Sequence, residues 1–115
     1  MHEVSLVHAL FDQADRAIAP RPAGAVRALT VRIGAQAGVD PELFKLAFEG
    51  CKLERGYGGA ALAIVLERAI WRCAGCGAPV EDGEVLACAA CAGEVRLSQG
   101  GDLVLDRLEL EVSDV

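Results

Sequence analysis

The chain is short of aromatic residues, of basic charge and of long apolar runs, and each shortage closes off a class of protein. Five aromatics (Phe11, Phe44, Phe48, Tyr57 and Trp71) serve 115 residues, so the core is expected to be mostly Leu, Val, Ile and Ala. Lys and Arg number 11 against 17 Asp and Glu, a formal charge of −6. Nucleic-acid binders gain affinity by neutralising phosphates, and this balance argues against one. No apolar run reaches the ~18 residues that span a bilayer, so membrane insertion is not expected. The start, Met1-His2-Glu3-Val4, lacks the basic and apolar stretches of an export signal, which points to the cytoplasm. No set of nucleophile, base and orienting group is visible, so an enzyme is not expected either. With 53% hydrophobic and 24% charged residues, the chain still suffices for a packed core of about one domain.

Hydrophobic periodicity places the elements. Residues 4–19 read as an amphipathic helix, with Val4, Val7, Phe11, Ala14 and Ile18 on one face, widened by Leu10 and Ala17. Pro20 and Pro22 end it, because proline disfavours helical geometry in the residue before it. Residues 26–33 alternate as a strand, Leu29, Val31 and Ile33 opposing Ala28, Thr30 and Arg32. Asp40-Pro41-Glu42 starts a second helix: an amide-capping carboxylate, a proline at the first position, and an acid at the positive dipole end. Its buried stripe is expected to be Leu43, Phe44, Ala47, Phe48 and Cys51. Residues 60–71 read as one strand with Leu62, Ile64 and Leu66 inward, although their alanines also suit a helix. A last strand covers 103–112, where Leu108, Leu110 and Val112 alternate with Glu109 and Glu111.

This order predicts an α+β fold, a small three-stranded sheet with two helices on one face, into which a cysteine segment is inserted. Residues 1–70 and 101–115 would form the α+β domain and residues 71–100 a four-cysteine, zinc-knuckle domain.

Four of the five cysteines stand as two CxxC pairs, Cys73 with Cys76 and Cys88 with Cys91. An odd count without an export signal fits a disulfide framework poorly. The two-residue spacer lets both sulfurs of a knuckle point at one ion, and two knuckles complete a tetrahedron, the preferred site of Zn²⁺. Gly75, Gly77 and Gly93 suit the tight knuckle backbone. Four thiolates leave no open position for water, so such a zinc is structural. They also leave the site at −2 (−4 + 2), which Arg72 and Arg96 are placed to offset. A redox dithiol is the weaker alternative, and iron in a rubredoxin-like site uses the same four ligands. Cys51 reads as a small buried hydrophobe on its helix.

At the amino terminus, methionine removal is not expected before a residue as large as histidine. The Met1 amine, the His2 amide nitrogen and the His2 imidazole can then close adjacent chelate rings, with Glu3 adding an oxygen or another amide nitrogen. A planar nitrogen and oxygen set favours Ni(II) or Cu(II) over zinc. Taken alone this tripeptide is weak support, since terminal histidines are commonly frayed and solvated. His8 with Asp12 reads as an exposed i,i+4 pair, and Asp40 as a helix cap.

Together these segments carry a resemblance. Met1-His2-Glu3 opens the first helix, Val31-Arg32-Ile33-Gly34 ends the first strand, and Gly38-Val39-Asp40-Pro41-Glu42-Leu43-Phe44 starts the second helix. The doubled CxxC and a short acidic strand follow. Over essentially its whole length the chain resembles the HypA/HybF family of hydrogenase nickel-incorporation proteins. That resemblance implies a nickel metallochaperone for nickel-iron hydrogenase, and in some organisms urease, rather than an enzyme. It implies His2 as nickel ligand with Glu3 auxiliary, and Cys73, Cys76, Cys88 and Cys91 as zinc ligands. Implied partners are a HypB-like GTPase and the hydrogenase large subunit, with a homodimer left open. The spacer at 77–87 is about a residue shorter than the family's and lacks its aromatics. The competing readings are a zinc-ribbon interaction or nucleic-acid module and a rubredoxin-like electron carrier.

Overall fold

The structure is a computed structural model that describes residues 2–80, 88, 91 and 93–111. Helix α1 (His2–Ile18) leads through a short 3-10 turn into strand β1 (Val26–Gly34), followed by helix α2 (Pro41–Cys51) and strand β2 (Ala61–Glu67). The cysteine segment contributes β3 (Ile70–Cys73), β4 (Pro79–Val80) and β5 (Val95–Gln99), and β6 (Leu103–Leu110) closes the described fold. Two three-stranded sheets result, ordered β2-β1-β6 and β4-β3-β5.

The first sheet has β1 at its centre. The β1-α2-β2 run makes β2 its parallel neighbour, Leu29 opposite Leu62 and Val31 opposite Ile64, as a helical crossover requires. Strand β6 pairs antiparallel on the other side, with Leu29 opposite Leu108 and Val31 opposite Leu105. A register shift between those two pairs resets the alternation, so Leu103, Leu105, Leu108 and Leu110 all pack toward the helices.

Both helices cover that one face. Val7, Leu10, Phe11, Ala14 and Ile18 from α1, and Phe44 and Phe48 from α2, meet Leu29, Val31 and Ile33 in a dry core. Four of the five aromatics gather there. Phe11 stacks on Tyr57 at 4.7 Å and meets Phe48 at 5.3 Å, so a scarce residue type is spent in one cluster. Behind it Arg55 lies over the Phe11 ring and binds Asp12 at 2.7 Å and Asp15 at 3.3 Å, while the Tyr57 hydroxyl donates to Asp15 at 2.6 Å. Burial, then the bond and charge of Asp15, push the Tyr57 hydroxyl well above its ordinary value, so it remains a proton donor.

Several expectations are corrected. Helix α1 begins at His2, two residues early, and Val4 and Ala17 are exposed instead of buried. Leu43 and Leu66 also face solvent: the core-facing arc of α2 is narrow, with Phe44 and Phe48 its buried residues, and Leu66 stands on the edge strand of its sheet. The run 60–71 is two strands in different sheets, not one. The change comes where three segments cross: Ala35 N–H donates to Glu67 O at 2.8 Å, and Gln36 N–H to Gly100 O at 2.8 Å. Gly34 packs so closely there that a Cβ would collide with the Gly100 carbonyl, and Gly100 itself has φ +90°. Strand β6 ends at Leu110, and the expected alternation holds from Leu108 through Glu111; Val112 lies outside the described residues.

Gly34→Ala is therefore expected to lower unfolding free energy by at least about 2 kcal/mol in denaturant titration, since the obstructing atoms are backbone. Gly24→Ala, whose Cβ meets nothing within 4 Å, should change it by less than about 0.5 kcal/mol.

Candidate metal centres

The four knuckle cysteines converge. Their sulfurs all lie within 4.8 Å of one another, with Cys73 Sγ 3.3 Å from Cys91 Sγ and Cys76 Sγ 3.6 Å from Cys88 Sγ. A disulfide would bring a pair to about 2.05 Å. A tetrahedron with bonds of ~2.3 Å to a central ion has edges of about 3.8 Å, so the donor set fits a tetrathiolate metal.

Local sequence explains the convergence. Strand β3 delivers Cys73 at its end, where Cys73 N–H donates to Ala78 O at 2.9 Å and Gly77 N–H to Cys73 O at 2.9 Å. That tight return needs the positive φ of Gly77, +76°. Ala74 N–H donates to Glu94 O at 2.7 Å and so ties the first knuckle to the chain leaving the second. A Cβ on Gly93 would stand 2.8 Å from Cys73 Sγ and 3.1 Å from Cys91 Sγ, so only glycine lets the backbone pass the sulfurs.

The amides also set the charge. Backbone N–H groups at Cys76 and Gly75, with the Cys91 thiol between them in strength, bring Cys73 down to about 6. Its partner Cys91, donating to Cys73, is pushed up to about 12. A thiophilic cation binds sulfurs as thiolates and displaces the protons they carry. Arg72 donates to Gly77 O at 3.1 Å and so keeps its positive charge on the first knuckle, whereas Arg96 is paired with Glu94 at 3.2 Å.

The amino-terminal residues present a different picture. His2 is exposed as the first residue of α1, and Glu3 is half-buried. Helices α1 and α2 lie with their starts together, because Glu3 sits beside Asp40 while Phe11 meets Phe48 and Asp12 meets Arg55. Asp40 N–H reaches Glu3 Oε2 at 3.4 Å, and Asp40 Oδ1 caps α2 by accepting from Glu42 N–H at 2.9 Å and Leu43 N–H at 3.4 Å. The cap was legible in Asp40-Pro41-Glu42. The contact with Glu3, 37 residues away, had no sequence signal. Among the described residues only the four cysteines form a ready cluster of ligating side chains.

His8 is held by a partner that its spacing does not reveal. Arg55 Nη1 lies 3.0 Å from His8 Nδ1, and a guanidinium can only donate, so that nitrogen is the acceptor. Cys51 is half-buried against the core, as a small hydrophobe.

Residues 1–110 match the family model for HypA, described as a hydrogenase/urease nickel-incorporation metallochaperone. The chain belongs to the HypA family. It is 35% identical over 113 residues to the hydrogenase maturation factor HypA of Shewanella halifaxensis, covering 96% of this chain and 98% of that one. To HypA of Archaeoglobus fulgidus it is 30% identical, covering 97% and 100%. Its fold resembles the solution structure of the nickel metallochaperone HypA from Helicobacter pylori, with TM-score 0.73, 26% identity, and 96% and 98% coverage. The two-helix layer and the four-cysteine knuckle are thus those of HypA structures. No described helix is long and apolar enough to cross a membrane.

Proposed function

We propose that this HypA-family chain carries Ni(II) at its amino terminus and surrenders it during maturation of nickel-iron hydrogenase, with urease a further client. The ligands are the Met1 amine, the His2 amide nitrogen and imidazole, and a Glu3 donor. The observation that carries this reading is the exposed start of α1 at His2. The first four amides of a helix have no intrahelical acceptor. The His2 and Glu3 amide protons can therefore be given up to a metal without breaking a helical bond.

Charge supports the same arrangement. A bare cation is disfavoured at a helix start, where the dipole is positive. An ion of +2 that displaces two amide protons and the proton of the Met1 ammonium lowers the net charge by one, so the dipole does not oppose it. The Asp40 N–H steadies the Glu3 carboxylate beside the site. With the imidazole on the surface, a receiving protein can replace one ligand at a time, which suits transfer rather than storage.

Cys73, Cys76, Cys88 and Cys91 hold a structural Zn²⁺ in residues 71–100, while residues 1–70 and 101–115 form the nickel-carrying body. The zinc shapes the knuckle domain and takes no part in chemistry, and the protein catalyses nothing. Its partners are a HypB-like GTPase and the hydrogenase large subunit, met in the cytoplasm.

Nickel titration of zinc-loaded protein tests this. The native chain should take up about one Ni(II), and His2→Ala should weaken that binding at least about 100-fold with zinc content unchanged. Equal nickel affinity in His2→Ala would overturn the reading.

A further inference from the structure

Strand β2 is an edge that pairs only with β1 among the described residues, and its sequence, Ala-Leu-Ala-Ile-Val-Leu-Glu, holds no proline. One bond fixes which of its backbone groups are used. Glu67 O accepts from Ala35 N–H, just past the end of β1, so the N–H and C=O groups of Glu67, Val65 and Ala63 point toward β1. Those of Leu62, Ile64 and Leu66 point outward, because the groups of successive residues alternate along a strand. The outward row is open only in its middle. At its two ends Ala60 O accepts from Lys52 Nζ at 3.2 Å, and Arg68 O from Gln99 Nε2 at 3.4 Å.

Two hollows of about 270 and 400 Å³ run beside that row and share Pro41 and Leu66. Leu62 and Ile64 line the first with Glu42 and Lys45 of α2, and Arg68 lines the second. Their charges run against those of the chain as a whole. Lys45 and Arg68 are exposed and make no ion pair among the described residues, whereas Glu67 is held by Arg32 at 3.1 Å. In a chain of −6, this groove offers two free cations against the carboxylate of Glu42.

We infer that the β2 edge docks an extended, acidic segment of a different protein, with apolar side chains at alternate positions. Lying antiparallel to β2, such a segment exchanges paired bonds with Leu62, Ile64 and Leu66 and satisfies every outward group. Its residues opposite those three turn toward α2 and enter the groove. Acidic residues beyond them meet Arg68 at one end, with Lys45 over the groove. Main-chain bonds supply the affinity, and the alternate hollows supply the selectivity. A helix does not fit this row, because its own backbone groups are bonded internally. The inference rests on the edge and its charges and not on the metal reading.

The test is calorimetric titration of the full zinc-loaded chain, at two chain concentrations, with the peptide Asp-Thr-Val-Thr-Val-Thr-Val-Thr-Asp. It should bind with a Kd of about 0.1 mM or tighter. Proline in place of its central valine removes a ladder N–H and should weaken binding at least about tenfold. Lysine at both peptide ends should also weaken it at least about tenfold at low salt, and K45E/R68E should reverse that preference. On the protein, Leu66→Pro deletes one outward N–H, spares the bonds to β1 and loses a side chain that is 68% exposed. It should bind the native peptide at least about tenfold more weakly. Should Leu66→Pro fail to fold, K45E/R68E carries the test, since both of its side chains are exposed. No binding up to about 1 mM overturns the proposal, and so does binding that ignores either the peptide's proline or the charges. An affinity that falls as the chain concentration rises overturns it too, because another copy would then fill the edge.

Discussion

Cys73→Ser is expected to remove the tightly held metal and unfold the β4-β3-β5 sheet while leaving the helix-covered sheet folded. Cys73 ends β3 at 3% exposure, and its sulfur accepts from Gly75 N–H at 3.3 Å besides facing the other three cysteines. A serine hydroxyl keeps its proton at neutral pH and is a poor replacement for a thiolate. The apolar interior offers no substitute, because the main buried cluster is drawn from α1, β1, α2 and the segment through Ala60. Outside it, Ala69, Cys73 and Cys88 are the buried apolar residues among those described. A structural zinc contributes on the order of 10 kcal/mol to a small domain, far more than three such side chains. Metal analysis should fall from about one zinc per chain to none. Amide exchange protection should vanish in β3 and β5 and persist in β1. Retention of both zinc and protection would mean that the remaining three thiolates and the fold suffice.

An amino-terminal extension is expected to have the second large effect. Two residues placed before Met1 convert its amine into an amide and remove a chelate ring, while leaving His2, Glu3 and the whole core unchanged. Nickel affinity should fall at least about 100-fold, a loss of about 2.7 kcal/mol. Zinc content and thermal stability should stay at native values, because α1 is anchored by Val7, Leu10 and Phe11 rather than by its first turn. Equal nickel affinity in the extended chain would show that the terminal amine is not a ligand.

The parts of the fold legible in the sequence were those set by short-range chemistry. Asp40-Pro41-Glu42 announced the start of α2, and Leu29, Val31 and Ile33 fixed the inward face of β1. The cysteine spacing gave the tetrathiolate cluster, because two knuckles constrain four sulfurs without reference to the rest of the chain. Long-range choices were not legible. The apolar run through residues 60–71 keeps its alternation across the point where it leaves one sheet for the other, and the cause is the crossing with Gly34 and Gly100. Arg55 draws together His8, Asp12 and Asp15 from more than 39 positions away, which no i,i+4 rule anticipates. At the amino terminus the sequence suggested the ligands proposed for nickel, but not Asp40 as the neighbour of Glu3.

Two proposed metal sites on one small chain invite exchange between them, and the proposal places nickel with the terminal nitrogens and not with the sulfurs. X-ray absorption at the nickel edge, on zinc-loaded native protein given one equivalent of Ni(II), addresses it directly. The first coordination shell should consist of nitrogen and oxygen alone, with imidazole scattering that disappears in His2→Ala. A first shell containing sulfur, with zinc displaced into solution, would contradict it.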